Sequence, residues 1–478
     1  MFLRTRKTDA LLCRNRPTQA QLAVQKPLYG TAGQGYRKRV MSSQPVAASG
    51  DDRIGMLDSM RGIAVLGILL MNITGFGLPY AYDNPTVWGG NSAIDLAVWR
   101  IMALFFEGTM RGLFTLLFGA SALLFLQRHG ARAGELRPAD LYFRRTLWLI
   151  VFGLVNGYVL LWSGDVLFYY GIAGLALYVF RNLSPRRLLI LAVIFIALQT
   201  SISVSEWIDF HETQTLAQAA SERLSAGHPL VDGDQEAIDA YAAVQAEFRP
   251  ERENLEAYVA NVRGSYASAF TVLRGDTWFM QTVFFFRHGI VECFGMMLLG
   301  MALLKSGVLT GARPTRVYLA MIVVGYTIGL CVNVAEMREL ESGGFSPEAM
   351  MNALLTYDLG RIPMTLGHLG LIAIMCRTPW LTNASRVLAA VGQMALTNYL
   401  TQSLLCLLIF TGAGLAWYGQ LARHELYYVV AVIWMLQLIW SPLWLRHFRY
   451  GPAEWVWRSL TYWRLQPVRR AAAATAQA

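Results

Sequence analysis

The sequence predicts an all-α protein, a polytopic integral membrane helical bundle of about ten transmembrane helices with one extramembrane helical insertion. Of its 478 residues, 55% are hydrophobic and 15% are charged, whereas soluble globular domains carry about 25% charged residues. Apolar runs recur from Arg61 onward with polar residues between them, and many reach the length of about 20 residues that crosses a bilayer core. The mean hydropathy is +0.38. Together these observations exclude an ordinary soluble enzyme.

Ten apolar stretches are long enough to be predicted as spans. They run roughly over residues 60–78, 106–126, 145–162, 165–180, 187–206, 279–304, 316–335, 352–375, 387–412 and 427–446. The stretch 94–106 ahead of the second span is also apolar, and the two together would measure about 50 Å, more than the core thickness of about 30 Å. We therefore expect a break near Gly108 or Gly112. The first part would lie along the outer surface or count as an eleventh element.

Alternate connections between the predicted spans differ in their content of Lys and Arg. Connections 79–93 and 163–164 contain neither residue, and connection 336–351 holds one Arg against four Glu. The other short connections and the tail are rich in Arg. Because positive residues stay in the cytoplasm, the pattern predicts a multi-pass membrane protein with both termini cytoplasmic; the family resemblance described below implies the bacterial inner membrane.

The chain divides into five predicted segments. Residues 1–50 are a basic segment, disordered or a mis-called extension, since residues 1–40 hold nine Lys or Arg against one acid. Residues 51–206 and 279–448 are the two membrane halves with five spans each, and residues 449–478 are a cytoplasmic tail. Residues 207–278 hold twelve acids and five arginines, which predicts an external, periplasmic helical insertion. A mobile polar loop is the alternative.

Charge and cysteine content exclude two further classes of site. The net charge is +10, but the basic residues lie between apolar runs and form no face interleaved with aromatic residues, so we expect no nucleic-acid partner. The five cysteines show no CxxC or Cys/His spacing. We therefore expect neither a disulfide framework nor a metal site.

The first span carries polar residues at its predicted cytoplasmic end. Asp58 and Arg61 lie one turn apart, and Arg61 and Asn72 are eleven residues apart, which places them within about 20° on one helix face. Charges at membrane depth are costly and therefore need partners. The alternative interpretation of Asp58 and Arg61 is a salt bridge that only fixes the helix end.

The second and fourth spans add charges that the topology places in the outer half. Glu107 and Arg111 are spaced i, i+4, so their side chains share a helix face and are predicted to pair. Asp165 begins the fourth span after a short external turn and lies at about the same depth.

The sixth and eighth spans complete this group of eight positions. Arg287 and His288 enter the membrane from the same side, with Glu292 at i, i+4 from His288. Asp358 and Arg361 are spaced i, i+3. Eight charged or titratable positions on four spans are therefore expected at a similar depth, which predicts a shared site.

Three further polar residues lie deeper in the membrane. His368 follows Asp358 by about 15 Å along the eighth span. Asn398 and Gln402 place amides near the middle of the ninth span. Hydrogen bonding between helices is the commoner role of such amides, and a substrate contact is the other.

Six motifs in chain order resemble the YeiB-like (DUF418-type) family of bacterial inner-membrane proteins of unknown function. The opening motif is Arg53-Ile-Gly-Met-Leu-Asp58-Ser-Met-Arg61-Gly62, continuing to Asn72. The other motifs cover residues 78–85, 107–119, 162–171, 392–403 and 451–458. The resemblance spans about residues 50–465. By its fold and its Asp-x-x-Arg-Gly opening, that family resembles the transmembrane acyltransferases.

The resemblance implies transfer of an acyl group from a cytoplasmic acyl-CoA, with acetyl-CoA among the candidate donors, to an extracytoplasmic acceptor such as a sugar, a lipid or an envelope component. One departure bears on the catalytic residue. The heparan-type acyltransferases carry an essential histidine in the outer loop after the first span, whereas residues 80–91 contain none. If the protein transfers acyl groups, another base must serve.

We therefore predict a site in which His288 with Glu292 acts as general base, supported by nearby charges. The candidate catalytic residues are His288, Glu292, Asp358, Arg361 and Asp165. The candidate substrate-binding residues are Asp58, Arg61, Asn72, Glu107, Arg111, Arg287, His368, Asn398 and Gln402.

Two other functions remain open from the sequence. The first is a transporter or exporter of a small solute or lipid, in which the same buried charges bind the substrate or relay protons. The second is a scaffold whose charges only hold helices together. The expected partners are the lipid bilayer and the small-molecule, glycan or lipid acceptor, and the sequence leaves room for a homodimer.

Overall fold

The computed structural model describes residues 55–82, 84–90, 92–130 and 138–470. Within these ranges the secondary structure is helical, and extended pairing is limited to an isolated bridge between Phe448 and Arg469. The predicted all-α class is therefore confirmed. The expectations for residues 1–50 and for the last eight residues of the tail lie outside the described residues.

Seventeen α-helices, one π-helix and one short 3-10 helix (Pro379–Leu381) make up the regular structure of the described part of the chain. The longer helices are α1 (Gly55–Gly77), α2 (Ala93–Phe105), α3 (Thr109–Gly130), α4 (Pro138–Tyr158), α5 (Leu167–Phe180), α6 (Pro185–Ser225), α7 (Asp234–Phe248), α8 (Arg252–Gly264), α9 (Tyr266–Phe279), π1 (Met280–Gly289), α10 (Ile290–Lys305), α11 (Thr315–Ser342), α12 (Pro347–Leu354), α13 (Tyr357–Arg377), α14 (Thr382–Gln393), α15 (Ala395–Phe410), α16 (Arg423–His447) and α17 (Pro452–Tyr462).

Seven helical stretches in the described part are long and apolar enough to cross a bilayer, or eight if one bent pair counts as a span. They are Gly55–Gly77, Ala93–Arg128, Pro185–Ser225, Tyr266–Lys305, Thr315–Ser342, Tyr357–Arg377 and Arg423–His447, with the pair Pro379–Gln393 and Ala395–Phe410 bent by 75°. The predicted count of ten is not confirmed. Two arginines lower the hydropathy of α4, and α5 has 14 residues, which reach only about 21 Å.

The predicted break ahead of the second span is present at Gly108. Helix α2 ends at Phe105, and α3 begins at Thr109. Gly108 has a φ of +62°, and a Cβ atom here would overlap the Tyr357 hydroxyl and the Arg361 side chain. Glycine is therefore required for both the left-handed backbone and the close approach of α13.

The predicted insertion over residues 207–278 is mostly helical, but it has no boundary at residue 206. Helix α6 continues to Ser225 and contains 41 residues, so its length is about 60 Å. It is uninterrupted because the sequence has no Gly or Pro between Pro185 and Ser225. Helix α9 likewise continues through π1 into α10. The placement of this region outside the membrane stays a prediction.

Helix α1 lies inside the bundle and crosses α14 at a very short distance. A Cβ atom at Gly62 would overlap the Leu388 carbonyl, and one at Gly392 would overlap the Asp58 carbonyl. Apolar residues of α1 such as Met60 are buried in the largest apolar cluster. The contact fixes the first turns of α1 relative to α14 and α15.

Candidate functional site

A cavity of about 210 Å³ lies beside the N-terminal half of α1. Its polar lining consists of Arg61, Arg128, Arg145, Arg458, Asp58, Ser121, Gln393 and Glu454. Its aromatic lining consists of Phe114, Phe118, Phe125, Tyr170, Tyr399 and Trp457. The four arginines are partly exposed, whereas Tyr170 and Tyr399 are each 1% exposed. The charged end therefore faces the opening, and the tyrosines form the inner end.

The first pair at the opening is Asp58 and Arg61. Arg61 Nη1 donates to Asp58 Oδ1 at 2.6 Å, and Arg61 Nε and Nη2 donate to Ser121 Oγ at 3.2 Å and 2.6 Å. Asp58 is 2% exposed, and its Oδ2 atom has no hydrogen-bond partner among the described residues. Two helices therefore hold the Arg61 guanidinium at the cavity. The predicted salt bridge is present, and it lines the cavity as well.

Helix α17 closes another side of the cavity. The Arg145 guanidinium lies 4.1 Å from the ring centre of Trp457, and Trp457 Nε1 donates to the Arg145 carbonyl at 2.8 Å. Glu454 accepts hydrogen bonds from the backbone N–H groups of Leu396 and Thr397 at 2.7 Å and 3.1 Å. Burial raises the pKa of Glu454, although the bonds from Thr397 oppose this shift. These contacts fasten α17 to α4 and to the start of α15.

The inner end of the cavity leads to Arg111 through two hydroxyl groups. The Tyr170 hydroxyl and Thr115 Oγ1 are 2.6 Å apart, and Thr115 Oγ1 donates to the Arg111 carbonyl at 2.8 Å. Thr115 and Arg111 are four residues apart on α3, or about 6 Å along the helix. The cavity therefore ends one helical turn from the next polar group.

That polar group is a buried charge cluster formed by Arg111, Glu292, Asp358 and Arg361. Arg111 Nε and Nη2 donate to the two oxygens of Glu292 at 3.1 Å and 3.3 Å. Arg361 Nη1 donates to Glu292 Oε1 at 2.6 Å, and Arg361 Nη2 donates to Asp358. Arg111 is 37% exposed, whereas Arg361 is 3% exposed. Arg111 is thus the member that reaches the surface.

Glu107 lies beside this cluster and accepts hydrogen bonds from two tyrosines. The Tyr82 hydroxyl donates to Glu107 Oε1 at 3.2 Å, and the Tyr357 hydroxyl donates to the same atom at 3.4 Å. Arg111 also donates to the Tyr357 hydroxyl at 3.4 Å. The Tyr357 hydroxyl therefore bridges Glu107 and Arg111, the two residues predicted to pair, and Glu107 itself lies in the break ahead of α3.

The predicted pairing of His288 with Glu292 is wrong. His288 Nε2 lies 3.0 Å from Glu206 Oε1, and its Nδ1 lies 3.4 Å from the amide of Gln199. Arg287 Nε contacts the same Glu206 oxygen at 2.5 Å. Residues 280–289 form a π-helix, in which the α-helical i, i+4 relationship no longer holds. His288 and Arg287 therefore face α6, while Glu292 faces α3 and α13.

Asp165 also lies apart from the charge cluster. It is 1% exposed and accepts hydrogen bonds from Asn156 Nδ2 and from the Phe168 N–H, both at 2.8 Å. The Tyr399 hydroxyl lies 3.5 Å from it. Asp165 therefore caps the start of α5 just behind Tyr399.

The prediction that eight residues share one site is thus only partly correct, because three of the eight lie elsewhere. Five of its members meet around the charge cluster: Glu107, Arg111, Glu292, Asp358 and Arg361. Asp165, Arg287 and His288 lie elsewhere, because their partners are on α4 and α6 and not on α3 or α13.

Asn398 and Gln402 join a network between helices. Asn398 Nδ2 donates to the Val391 carbonyl and to Ser441 Oγ, both at 3.1 Å. Gln402 Nε2 donates to the Val65 carbonyl at 3.1 Å and to Gln437 Oε1 at 3.0 Å. These contacts favour the helix-to-helix interpretation over substrate binding.

Neither His368 nor Asn72 lines the cavity. His368 Nδ1 pairs with the Met364 carbonyl at 2.9 Å, and its ring lies 5.4 Å from that of Tyr326. Asn72 is partly exposed on α1, three turns beyond Arg61.

The structure adds polar residues that the sequence pattern does not single out. Glu206 ends a predicted span without an assigned role, although an acid at that position is a signal for a buried partner. Arg145 and Arg458 count only as topology signals in the sequence. Asp95 Oδ1 also pairs with His424 Nδ1 at 2.7 Å, a contact between α2 and α16 that no local spacing could indicate. Among the described residues, no group of three or more His, Cys, Asp or Glu residues is placed to hold a metal ion.

The sequence is similar to one family model and to three uncharacterized bacterial proteins. Residues 303–464 match the model of a family described as a protein of unknown function, DUF418. The chain is 29% identical to the uncharacterized protein YxaH of Bacillus subtilis over 442 residues, which is 90% of this chain and 98% of that protein.

Two further similarities extend the same result. The chain is 29% identical to the uncharacterized protein YeiB of Escherichia coli over 425 residues, 85% of this chain and 95% of that protein. It is 24% identical over 421 residues to an uncharacterized 39.9 kDa protein of Bacillus acidopullulyticus, which covers 87% of this chain and 96% of that protein. The resemblance seen in the motifs is confirmed: residues 303–464 of this multi-helical membrane protein match the DUF418 model, and most of the chain is similar to the YeiB and YxaH proteins.

Proposed function

We propose that the protein is a membrane-embedded acyltransferase that moves an acyl group from cytoplasmic acyl-CoA to an acceptor beyond the membrane. The observation that carries this proposal is the cavity, with guanidinium groups at its opening and buried aromatic rings at its inner end. An acyl-CoA has the same polarity, since phosphates lie at one end and the thioester with its acyl group at the other. Guanidinium groups suit phosphates because the planar group donates two parallel N–H hydrogen bonds to two phosphate oxygens.

Arg61 and Arg145 are held in position before any ligand arrives. Ser121 and Asp58 fix Arg61, and the Trp457 ring supports Arg145. A positively charged group that is already ordered loses less conformational entropy on binding a phosphate than a free side chain would. These two residues are therefore assigned to the phosphate end of the donor.

The inner end offers groups for the reacting carbonyl. The Tyr170 hydroxyl lies there beside Thr115 Oγ1. In this proposal it turns its proton from Thr115 to the thioester oxygen, where a hydroxyl donor stabilises the negative charge that develops. Tyr169, the neighbour of Tyr170 on α5, packs against Gly289, the residue that follows His288. Helix α5 thus lies between the cavity, which Tyr170 lines, and His288, which lies beyond Tyr169.

In this proposal His288 remains the general base, with Glu206 as its carboxylate partner. When Nε2 donates to Glu206, the Nδ1 atom is left as the acceptor nitrogen. This role requires the acceptor to displace the Gln199 amide from Nδ1 and the thioester to reach past helix α5. Nδ1 then takes the proton of the acceptor hydroxyl or amine as the new bond to the acyl carbon forms. The carbon–sulfur bond then breaks, and the CoA thiolate takes up the proton that His288 returns.

The charge cluster is assigned to the acceptor side. Arg111 is its partly exposed member, and Glu292 holds the guanidinium through two hydrogen bonds. Arg361 binds Glu292 from the other side and is itself held by Asp358. A sugar, a lipid headgroup or another envelope component with hydroxyl groups would suit this mixture of guanidinium, carboxylate and tyrosine hydroxyl groups.

The test uses the full-length protein in proteoliposomes supplied with acetyl-CoA or octanoyl-CoA and an envelope extract as the acceptor source. Release of the CoA thiol and labelling of the acceptor are measured together. We expect Arg61→Gln and Arg145→Gln to raise KM about tenfold each, and His288→Ala to lower kcat by about 10²-fold or more with KM little changed. The matched control is Arg187→Gln, an exposed residue outside the cavity.

The alternative function, a transporter or exporter, predicts a different result. Vesicles would accumulate an unmodified solute, and no CoA thiol would appear with either donor. Absence of thiol release together with absence of CoA binding by calorimetry would overturn the acyltransferase proposal. Equal rates in wild type and His288→Ala would overturn only the assignment of the base.

A further inference from the structure

The segment that follows α17 folds back and is held against the end of α16. The Arg449 N–H donates to the Val468 carbonyl at 2.9 Å, and the Arg470 N–H donates to the His447 carbonyl at 3.2 Å. Gln466 is 7% exposed, and its N–H donates to a serine hydroxyl of α17 at 3.2 Å. Residues 463–470, here named the C-terminal hook, therefore have a defined shape.

The C-terminal hook presents large apolar side chains to its surroundings. Trp463 is 74% exposed and Leu465 is 76% exposed, and Val468 is 37% exposed. Trp463 has a φ of +51°, a left-handed conformation that is unfavourable for a residue with a side chain. The Arg144 guanidinium lies 5.1 Å from the centre of its ring. The indole is thus held outward by a strained backbone and a cation on α4.

The hook lies where two exposed apolar rows end. Helix α16 exposes a row of apolar residues that ends at Leu443, four residues before His447, to which the hook bonds. Helix α4 exposes a second apolar row that begins at Leu147, three residues after Arg144. The residues of these rows are Val432, Met435, Leu436, Ile439 and Leu443 on α16, and Leu147, Val151, Leu154 and Val155 on α4. Both exposed apolar rows therefore end close to Trp463.

The charge of this region is strongly positive. Residues 443–470 contain six arginines and one acid, Glu454, which is 9% exposed and bonded to the start of α15. Arg446, Arg464, Arg469 and Arg470 are exposed. Trp side chains favour the membrane interface, and basic residues near a membrane surface attract anionic lipids.

We propose that the C-terminal hook is a binding site for anionic phospholipid headgroups of the bilayer that surrounds the protein. Trp463 and Leu465 insert at the level of the headgroups, and Arg469 and Arg470 bind the lipid phosphate. The site is separate from the cavity and does not depend on acyl transfer.

The experiment compares lipid binding by the full-length protein and by Arg469→Gln/Arg470→Gln. The delipidated protein is titrated with dioctanoylphosphatidylglycerol or dioctanoylphosphatidylcholine, and bound lipid is counted by native mass spectrometry. We expect the double substitution to weaken phosphatidylglycerol binding by roughly 25-fold, about fivefold for each arginine, and to leave phosphatidylcholine binding unchanged. The matched control is Arg263→Gln/Arg274→Gln, two exposed arginines on α8 and α9.

A second measurement tests the insertion of the indole. The difference in fluorescence between wild type and Trp463→Phe isolates the emission of Trp463, and this emission should be weaker in nanodiscs of brominated lipid than in unbrominated nanodiscs. Equal emission in the two kinds of nanodisc would overturn the proposal. Equal phosphatidylglycerol binding by wild type and Arg469→Gln/Arg470→Gln would also overturn it.

Discussion

Arg361 of α13 donates to Glu292 of α10 at 2.6 Å, although the two residues are 69 positions apart in the chain. The guanidinium is 3% exposed and the carboxylate is 12% exposed. Arg111 brings a second guanidinium to the same carboxylate. One carboxylate therefore connects three helices, which makes Glu292 the central residue of the charge cluster.

Removing the Glu292 charge should destabilise the bundle strongly. Glu292→Gln would take the shared carboxylate away from two guanidinium groups, and breaking a buried ion pair typically costs about 3–5 kcal/mol. We expect a clear fall in the thermal unfolding temperature of the purified protein in detergent. Glu256→Gln is the control, because Glu256 pairs with Arg252 on the exposed surface of α8, where such pairs contribute about 0–1 kcal/mol. Equal shifts in the two variants would contradict the central role of Glu292.

The Asp58–Arg61 pair should control CoA affinity through the position of the guanidinium. Ser121→Ala removes the hydroxyl that accepts from Arg61 Nε and Nη2 and leaves every charge in place. We expect CoA to bind about tenfold more weakly, since losing a hydrogen bond to a charged group costs about 1.5 kcal/mol or more and 1.4 kcal/mol is a factor of ten. Calorimetry with CoA measures this change. Ser201→Ala is the control, because Ser201 lies on the exposed surface of α6, and this variant should bind CoA as wild type does. Unchanged CoA affinity in Ser121→Ala would show that Ser121 does not position Arg61 for the ligand.

The crossing of α1 and α14 should tolerate no side chain at Gly392. A Cβ atom at this position would overlap the Asp58 carbonyl oxygen, and neither backbone can yield without moving a helix. Gly392→Ala should therefore lower stability by about 1–3 kcal/mol, the usual range for overpacking. Gly275→Ala on α9 is the matched control, because a Cβ atom there meets nothing within 4 Å. It should be neutral or stabilise by up to about 1 kcal/mol, so a loss equal to that of Gly392→Ala would refute the argument.

Local patterns predict the elements of this fold well. The length of the apolar runs indicates where the helices lie, and the excess length before residue 126 predicts the break at Gly108. Pairs within one regular α-helix are also predictable, since Asp58 with Arg61 and Asp358 with Arg361 follow from i, i+3 spacing.

Contacts between distant helices cannot be predicted from spacing. Arg111 contacts Glu292 at a separation of 181 residues, and no local rule relates them. Regular α-helical geometry would pair His288 with Glu292, but the π-helix rotates His288 toward Glu206 on α6. The cavity is unpredictable for the same reason, because its arginines come from separate helices.

The docking of α17 should depend on pH through Glu454. Burial raises the pKa of this carboxyl above its ordinary value of 4.5, so the folded state binds the proton more tightly than the unfolded state does. Its contribution to stability is therefore fully present below about pH 4.5 and is lost as the pH rises through the raised pKa of the folded protein. Thermal unfolding of wild type and Glu454→Gln between pH 4.5 and 8 measures the effect. The wild type should lose stability relative to Glu454→Gln as the pH rises through this window, because glutamine cannot ionise. A constant difference between the two proteins across the window would show that Glu454 does not titrate there.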